Sequence, residues 1–192
     1  MLYDRSVSTP VTEAPPALDD DTPVELRGLI NFLNSRTSAR RPERFDTPSN
    51  AAAFLAHCEL GYDNRALTKP DTTRLRRLRD AVMSALMEPS DTDPWDAINS
   101  LSATVPLRLH TTAGPAVSLQ ATRTNPSDAV IACVLDQLVT AIATGRWARL
   151  AACARCQRVF YDTTRSHTRR WCSYATCGNR ANVSAYRHRA QQ

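Results

Sequence analysis

The chain has 192 residues, which is enough for one ordinary globular domain with a small appendage but not for two domains of full size. Its apolar fraction of 42% is typical of soluble globular proteins, and with only 5 glycines a packed, helix-rich body is expected. No stretch approaches the roughly 18 uninterrupted apolar residues of a membrane-spanning helix, and the N-terminus lacks the basic and then apolar layout of a secretory signal. We therefore expect a cytoplasmic protein without a membrane partner.

The charge of the chain is distributed unevenly. Residues 146–192 contain ten arginines and one acid, Asp162, which gives this segment a charge of +9 with neutral histidines. Because the whole chain carries +5, the first 145 residues carry −4. A near-neutral or acidic body joined to a strongly basic segment is expected where that segment binds polyphosphate, but a solubilising tail has the same composition. Charge alone leaves both interpretations open.

The N-terminal part of the chain predicts a tail and two helices. Residues 1–22 combine prolines and three consecutive aspartates with little periodic apolar content, which predicts a disordered tail. Residues 24–33 have apolar side chains at helical spacing and are followed by a polar, arginine-rich loop. The second helix is expected to begin at a cap formed by Thr47 or Ser49 and to end at Gly61, where the left-handed conformation favours glycine.

A third helix is expected to begin at Asp71 or Thr72, and a shorter fourth helix at Asp93. The apolar stripe of the third helix consists of Leu75, Leu78, Val82 and Leu86. Four arginines flank this stripe, and we expect them on a solvated face; they are Arg74, Arg76, Arg77 and Arg79.

The next segment alternates apolar and polar residues on both sides of Gly114-Pro115, which predicts a β-hairpin. The helix that follows, up to Gly145, should be the most buried of the body. Its stripe consists of Ile131, Val134, Leu135, Leu138 and Ile142. Cys58 and Cys133 lie in predicted helices and are interpreted as inert packing residues. Residues 1–145 contain no phosphate-binding glycine loop, nucleophile elbow or paired metal-ligand helix, so we do not expect an enzyme.

The remaining four cysteines lie within 25 residues of one another; they are Cys153, Cys156, Cys172 and Cys177. In a reducing cytoplasm, clustered thiols indicate metal ligands rather than disulfides. Two closely spaced pairs suit Zn²⁺, because four thiolates fill its tetrahedral shell and leave no open position for a substrate. A redox Cys-x2-Cys pair would leave the second pair unexplained, whereas an iron–sulfur cluster stays open as an alternative.

The layout around these cysteines predicts a treble-clef-like finger. Residues 159–162 and 169–173 bracket a polar turn and are expected to form a hairpin between the two pairs. Residues 179–190 contain no proline or glycine and predict a helix that begins at the last ligand. So small a segment needs the metal for its folding, and structural zinc contributes on the order of 10 kcal/mol.

Arginines of the finger are the candidate DNA contacts, and they are Arg165, Arg169, Arg170, Arg180, Arg187 and Arg189. Arg180 and Arg187 share one face of the expected helix, while Val183 and Tyr186 are expected to pack toward the hairpin. Guanidinium groups bind phosphates and read guanine edges. For Arg180, next to a ligand, offsetting the charge of the metal site is an equally good interpretation.

The segment from Arg149 to Arg189 resembles the CGNR zinc finger of bacterial regulators, named for the run Cys177, Gly178, Asn179 and Arg180. In that family a helical domain called ABATE, which is alanine-rich and associated with stress responses, precedes the finger. Residues 23–145 resemble it in order and spacing. Residues 31–35 depart from the family pattern at their first position, where asparagine replaces aspartate, and the first cysteine pair is tighter than in many members.

The predicted protein is therefore mainly α with a small β-hairpin. It has a disordered tail (1–22), an ABATE-like helical domain (23–145) and a CGNR-type finger (146–192). The resemblance implies a zinc-dependent, nucleoid-associated regulator whose finger binds double-stranded DNA. It also implies that the helical domain senses a small-molecule effector or forms a homodimer, and the polar candidates for a ligand pocket are Asn34, Arg36 and Arg108. The alternative is a zinc-stabilised interaction module for RNA or an acidic protein partner.

Overall fold

The computed structural model describes residues 14–15, 17–38, 41–111, 116–122 and 125–183. They form five α-helices: α1 (Arg27–Leu33), α2 (Pro48–Leu55), α3 (Lys69–Met87), α4 (Asp93–Ser102) and α5 (Pro126–Ala143). Two antiparallel hairpins join β1 (Leu107–Thr111) to β2 (Val117–Ala121) and β3 (Leu150–Ala152) to β4 (Val159–Tyr161). Short 3₁₀ turns cover Val24–Leu26 and Arg146–Arg149, and a π-helical turn covers Tyr174–Gly178. The mainly α class with a small C-terminal finger is confirmed.

One hydrophobic core extends from the helices into the finger. Helices α1, α3 and α5 pack against one another through their apolar stripes, and the aromatic rings of Phe32 and Phe45 meet at 5.6 Å between centroids. Leu150 of β3 and Val159 of β4 belong to the same buried cluster. Because burial of apolar surface is the main stabilising contribution in a domain, the β3–β4 hairpin is part of the body rather than a separate appendage.

Two helix boundaries differ from the sequence expectation. Helix α3 begins at Lys69 rather than at Asp71 or Thr72, because Thr68 caps it and forms a capping box with Asp71. The Thr68 hydroxyl accepts from the Asp71 N–H at 3.4 Å, and the Asp71 carboxylate accepts from the Thr68 N–H at 2.8 Å. Helix α2 is capped by Thr47 as expected but ends at Leu55, so Gly61, with φ of +64°, lies in the loop beyond it.

Arg79 of α3 was expected on the solvated face and is instead buried. Its guanidinium donates to the carboxylate of Glu43 at 2.5 Å and to the hydroxyl of Ser35 at 3.3 Å. The charged group also lies over the ring of Phe45, 5.6 Å from the centroid. A buried guanidinium is tolerated here because it has an ion-pair partner and hydrogen bonds.

Helix α5 is the core helix that the sequence predicted, with one correction. Ile131 and Val134 are fully buried, but Ile142, the last member of the predicted stripe, is 47% exposed because it lies near the end of the helix. In the described part of the chain, α5 is the one helix long and apolar enough to cross a membrane, and half of it is buried inside the protein. Such burial is typical of the core helix of a soluble domain.

The predicted hairpin of the body is confirmed, and in its register Leu109 lies opposite Leu119 and Thr111 opposite Val117. Its turn, residues 112–115, lies outside the described residues. The N–H of Leu119 donates to the carboxylate of Asp136 in α5 at 2.8 Å, which fixes the hairpin on this helix.

Residues 17–22 belong to the segment expected to be a disordered tail, and they make defined contacts. Thr22 is buried, and the carboxylate of Asp19 forms an ion pair with Arg169 of the finger at 2.8 Å. This segment therefore runs from the start of the helical body to the finger. Residues 1–13 and residue 16 lie outside the described part of the chain.

The side chain of Asn34, just after α1, joins the helical body to the finger. Its amide nitrogen donates to the carbonyl of Val159 at 2.9 Å, and its amide oxygen accepts from the N–H of Val159 at 2.8 Å. Asn34 is only 7% exposed. The side chain of Asn34 therefore provides hydrogen-bond partners for both the N–H and the carbonyl of the buried Val159.

We expect Asn34→Ala to lower the free energy of unfolding by about 2 to 4 kcal/mol, because two buried backbone groups of Val159 lose their partners and each costs about 1–3 kcal/mol. Chemical denaturation followed by circular dichroism measures the change. Asn99→Ala, the same substitution at an exposed position of α4, is the control and should stay within about 0.5 kcal/mol of the wild type. Equal stability of the two variants would contradict this role of Asn34.

Candidate metal centre and basic surface

The four cysteines of the finger come together in one cluster. The sulfurs of Cys153, Cys156, Cys172 and Cys177 all lie within 4.8 Å of one another. The distance between the sulfurs of Cys156 and Cys172 is 3.5 Å, and that between the sulfurs of Cys172 and Cys177 is 3.8 Å. Zinc–sulfur bonds of about 2.3 Å give a tetrahedron with edges of about 3.8 Å. The donor set and its spacing therefore fit a tetrahedral metal ion.

The first cysteine pair lies in the turn of the β3–β4 hairpin. The N–H of Cys153 donates to the carbonyl of Arg158, and the N–H of Gln157 donates back to the carbonyl of Cys153, both at 2.9 Å. Gln157 has φ of +58°, a left-handed conformation that closes the turn. This tight turn directs both sulfurs of the pair toward one point.

The predicted hairpin between residues 159–162 and 169–173 is wrong. The structure instead pairs β4 with β3, with Ala152 opposite Val159. The apolar residues of β3 and β4 are buried together in the core, which favours this pairing. Residues 169–173 lie beside the first pair through a backbone hydrogen bond of 3.0 Å from Ala154 to the carbonyl of Arg170.

The second cysteine pair lies on a loop and on the π-helical turn. Ser173 caps that turn, since its hydroxyl accepts from the N–H of Thr176 at 3.4 Å and its carbonyl accepts from the N–H of Cys177 at 2.9 Å. Gly178 is required by close packing, because a Cβ there would lie 2.8 Å from the ring of Tyr174. The helical turn thus begins before Cys177, whereas the sequence predicted a start at residue 179.

The helix predicted over residues 179–190 is described only in part. Residues 179–183 are helical, and residues 184–192 lie outside the described range, which includes Tyr186. Val183 was expected to pack toward the hairpin but is 49% exposed.

The cysteine thiols differ in their proton affinity. Burial raises the pKa of Cys153, but backbone N–H groups of Cys172, Cys156 and Arg155 more than offset it and bring the pKa to about 7. Burial, together with the neighbouring sulfurs, raises the pKa of Cys156 and of Cys172 above the ordinary thiol value. A metal ion must therefore displace protons from at least two of the four sulfurs at neutral pH.

The two other cysteines have the environment of packing residues. Cys58 is buried beside the carbonyl of Phe54, to which its thiol donates at 3.3 Å, and burial raises its pKa to about 12. Burial also raises the pKa of Cys133. A thiol with a raised pKa holds little thiolate and is a poor nucleophile.

The finger has one acidic residue, Asp162, and its carboxylate faces inward. Asp162 is 2% exposed, and it accepts hydrogen bonds from the N–H groups of Thr164 and Arg169 at 2.8 and 2.9 Å. Burial raises its pKa, but these hydrogen bonds and that from the Thr164 hydroxyl are stronger in sum and lower it. Among the described residues of the finger, no carboxylate therefore reaches the surface.

Exposed arginines flank the four cysteines along the chain. Arg165, Arg170 and Arg180, all predicted DNA contacts, have exposed side chains, and Arg170 lies over the ring of Trp171 at 5.4 Å. Arg155 is not among the predicted DNA contacts, but it is exposed between Cys153 and Cys156. Its position inside the Cys-x2-Cys turn is the feature of the sequence that indicates it. Arg187 and Arg189 lie outside the described residues.

Arg169 differs from the other predicted DNA contacts, because its guanidinium is used within the chain. It donates to the carbonyl of Trp171 at 2.9 Å and to the carbonyl of Cys172. It also pairs with Asp19 and lies 4.9 Å from the ring centroid of Phe160. In this conformation Arg169 supports the loop that carries the third ligand.

The three polar candidates for a ligand pocket do not share one cavity, although Asn34 and Arg36 both line a gap of about 10 Å³. The amide of Asn34 is fully used by Val159. Arg36 lines a cavity of about 490 Å³ beside α3, which does not include Arg108. Arg108 is exposed on β1, 3.4 Å from the side chain of Gln120. A larger cavity of about 1130 Å³ between α3 and α4 is lined by none of the three.

Comparison with known proteins agrees with this architecture. A family model described as "CGNR zinc finger" matches residues 149–190. A second, ABATE, described as "Putative stress-induced transcription regulator", matches residues 27–157, about two thirds of the chain, and so extends through β3 and the first cysteine pair. None of the curated proteins matches the chain. The chain therefore belongs to the ABATE family and carries a C-terminal CGNR zinc finger.

Proposed function

We propose that this protein is a zinc-dependent, DNA-binding transcription regulator of the cytoplasm, in which the finger contacts double-stranded DNA. The observation that carries the proposal is the charge arrangement of the finger. Exposed arginines flank the clustered cysteines along the chain, while Asp162, the one acid of residues 146–192, is buried. A surface of one sign, attached to a body of opposite net charge, binds polyphosphate and orients the protein on it.

Zinc has a structural role in this proposal. Cys153, Cys156, Cys172 and Cys177 would hold the ion, and with four protein ligands no position is open for a substrate. The ion supplies the attraction that holds two loop segments and the π-helical turn in one arrangement. The proposal assigns no catalytic role to the site. An iron–sulfur cluster is the alternative occupant, and elemental analysis separates the two.

DNA contact is assigned to the arginines that the chain itself leaves available. Arg165 and Arg170 lie on the loop fixed by Asp162, and Arg180 follows the last ligand. Guanidinium groups held by a rigid loop bind phosphates at less entropic cost than those of a flexible tail. Effector sensing and homodimer formation by the helical domain stay predictions from the family resemblance.

The first test concerns the metal. The wild type and Cys133→Ser are each expected to retain about one zinc ion per chain after gel filtration, whereas Cys172→Ser loses most of it, because a three-thiolate site binds zinc far more weakly. Elemental analysis measures zinc and iron, and denaturation with and without a chelator measures the stability that the ion contributes. Full zinc content in Cys172→Ser would contradict the assignment, and so would iron in place of zinc.

The second test concerns pH. Because the pKa values of Cys156 and Cys172 are raised, their sulfurs are protonated near neutrality and must lose protons to the metal. Zinc affinity should therefore fall as the pH is lowered between about pH 8 and pH 6, with the release of at least two protons at neutral pH. Calorimetry in two buffers of different ionisation enthalpy counts the protons. An affinity independent of pH would contradict ligation by protonated thiols.

The third test concerns DNA. The apparent affinity for a mixed-sequence duplex should fall steeply with salt, and the Arg165→Ala, Arg170→Ala double variant should reduce the log–log slope by about 1.8, since each phosphate contact contributes about 0.9. Fluorescence anisotropy at several salt concentrations measures the slope. The control is the Arg77→Ala, Arg108→Ala double variant, which removes the same charge from exposed positions of the helical body and should keep the wild-type slope.

Two outcomes would contradict DNA binding by this surface. One is an equal loss of slope in the control and in the finger variant, which would indicate a response to net charge alone. The other is binding to single-stranded RNA of the same length that is tighter than binding to the duplex, which would favour the RNA-binding alternative.

A further inference from the structure

One guanidinium nitrogen of the helical body is buried beside the candidate metal centre. Arg41 belongs to the loop between α1 and α2, and its Nη1 atom is buried with no hydrogen-bond partner among the described residues. Together with Cys156, Arg41 lines a gap of about 10 Å³ between this loop and the first cysteine turn. A gap of that size is at the lower limit for holding a water molecule. The sulfur of Cys156, which lines the same gap, is the one candidate acceptor there that belongs to the sulfur cluster.

The backbone of the loop holds Arg41 in place. The N–H of Ser38 donates to the carbonyl of Arg41 at 2.9 Å, and the N–H of Arg41 donates back to Ser38 at 3.1 Å. The hydroxyl of Thr37 donates to the same Arg41 carbonyl at 3.2 Å. At the start of the loop, the side chain of Asn34 forms two hydrogen bonds with the backbone of Val159. The loop is thus fixed to the hairpin that carries the first two ligands.

The positive charge of Arg41 is attracted to the neighbouring sulfurs of Cys156 and Cys172. Burial lowers the pKa of Arg41, and the adjacent guanidinium of Arg158 lowers it further, whereas the sulfurs of Cys156 and Cys172 raise it. Arginine stays protonated in proteins, so this side chain places a positive charge next to the sulfurs. Four thiolates around a divalent ion carry a net charge of −2, which such a cation offsets.

We propose that in the zinc-loaded protein the Nη1 atom of Arg41, which has no partner in the described part of the chain, donates a hydrogen bond to a ligand sulfur, so that the helical body slows the loss of zinc from the finger. The proposal rests on zinc binding by the four cysteines and goes beyond it, because it assigns a positioning role to a residue outside the finger. Groups that hydrogen-bond to metal ligands fix their orientation and increase metal retention.

The test measures zinc release from the full-length, zinc-loaded protein in the presence of an excess of a chromogenic chelator. Arg41→Met keeps the length of the side chain and removes the charge and the donors, and we expect release about tenfold faster than in the wild type. Arg41→Lys keeps the charge and one donor nitrogen, and its release should be intermediate. Arg77→Met, at an exposed position of α3, is the matched control and should release zinc at the wild-type rate.

Folding of each variant is checked by circular dichroism and by the absorption spectrum of the cobalt-substituted protein, which reports a tetrahedral sulfur site. Release from Arg41→Met at the same rate as from the wild type and Arg77→Met would overturn the proposal. If Arg41→Met does not fold, Arg41→Lys decides: release faster than in the wild type supports the proposal, and an unchanged rate overturns it. A wild type that binds no zinc would instead overturn the proposed function itself.

Discussion

The two hydrogen bonds between the side chain of Asn34 and the backbone of Val159 are the constraint on which the arrangement of the two halves depends. They provide both partners for a buried strand residue at the point where the helical body meets the finger. Since Leu150 and Val159 also belong to the core of the body, the β3–β4 hairpin cannot move away without opening that core. The first cysteine pair, in the turn of this hairpin, is therefore held at a fixed place on the helical body.

The family match to the helical domain extends into the finger, in agreement with the core that the two halves share. The ABATE match ends at residue 157, beyond β3 and the first cysteine pair, and the CGNR match begins at residue 149. The overlap coincides with a segment that belongs to both halves. Its Leu150 is part of the core, and its turn carries two of the four clustered cysteines. Leu150 and Val159, which follow the predicted boundary at residue 145, belong to the same core as the helices.

In the finger the one carboxylate is buried, whereas several arginines are exposed. The carboxylate of Asp162 is used to hold the loop from Thr164 to Arg169, which leaves the arginines at the surface without acidic neighbours from their own segment. Arg146 and Arg169 are exceptions, because Glu25 and Asp19, which precede the finger in the chain, are their ion-pair partners. The positive field at the surface therefore depends on an internal hydrogen-bond arrangement as well as on the number of arginines.

The sequence by itself determined the features that depend on local spacing. The four cysteines of the candidate metal site follow from two short cysteine intervals, and α5 and the β1–β2 hairpin follow from helical and alternating periodicity. The start of α3 could also have been predicted from the sequence, because Thr68 and Asp71 have the spacing of a capping box. Tertiary structure alone decided the burial of Arg79, whose partner Glu43 is distant in sequence, and the pairing of β3 with β4. It also decided the placement of Asn34 and Arg41 beside the finger, because contacts between distant segments leave no periodic signal in the chain.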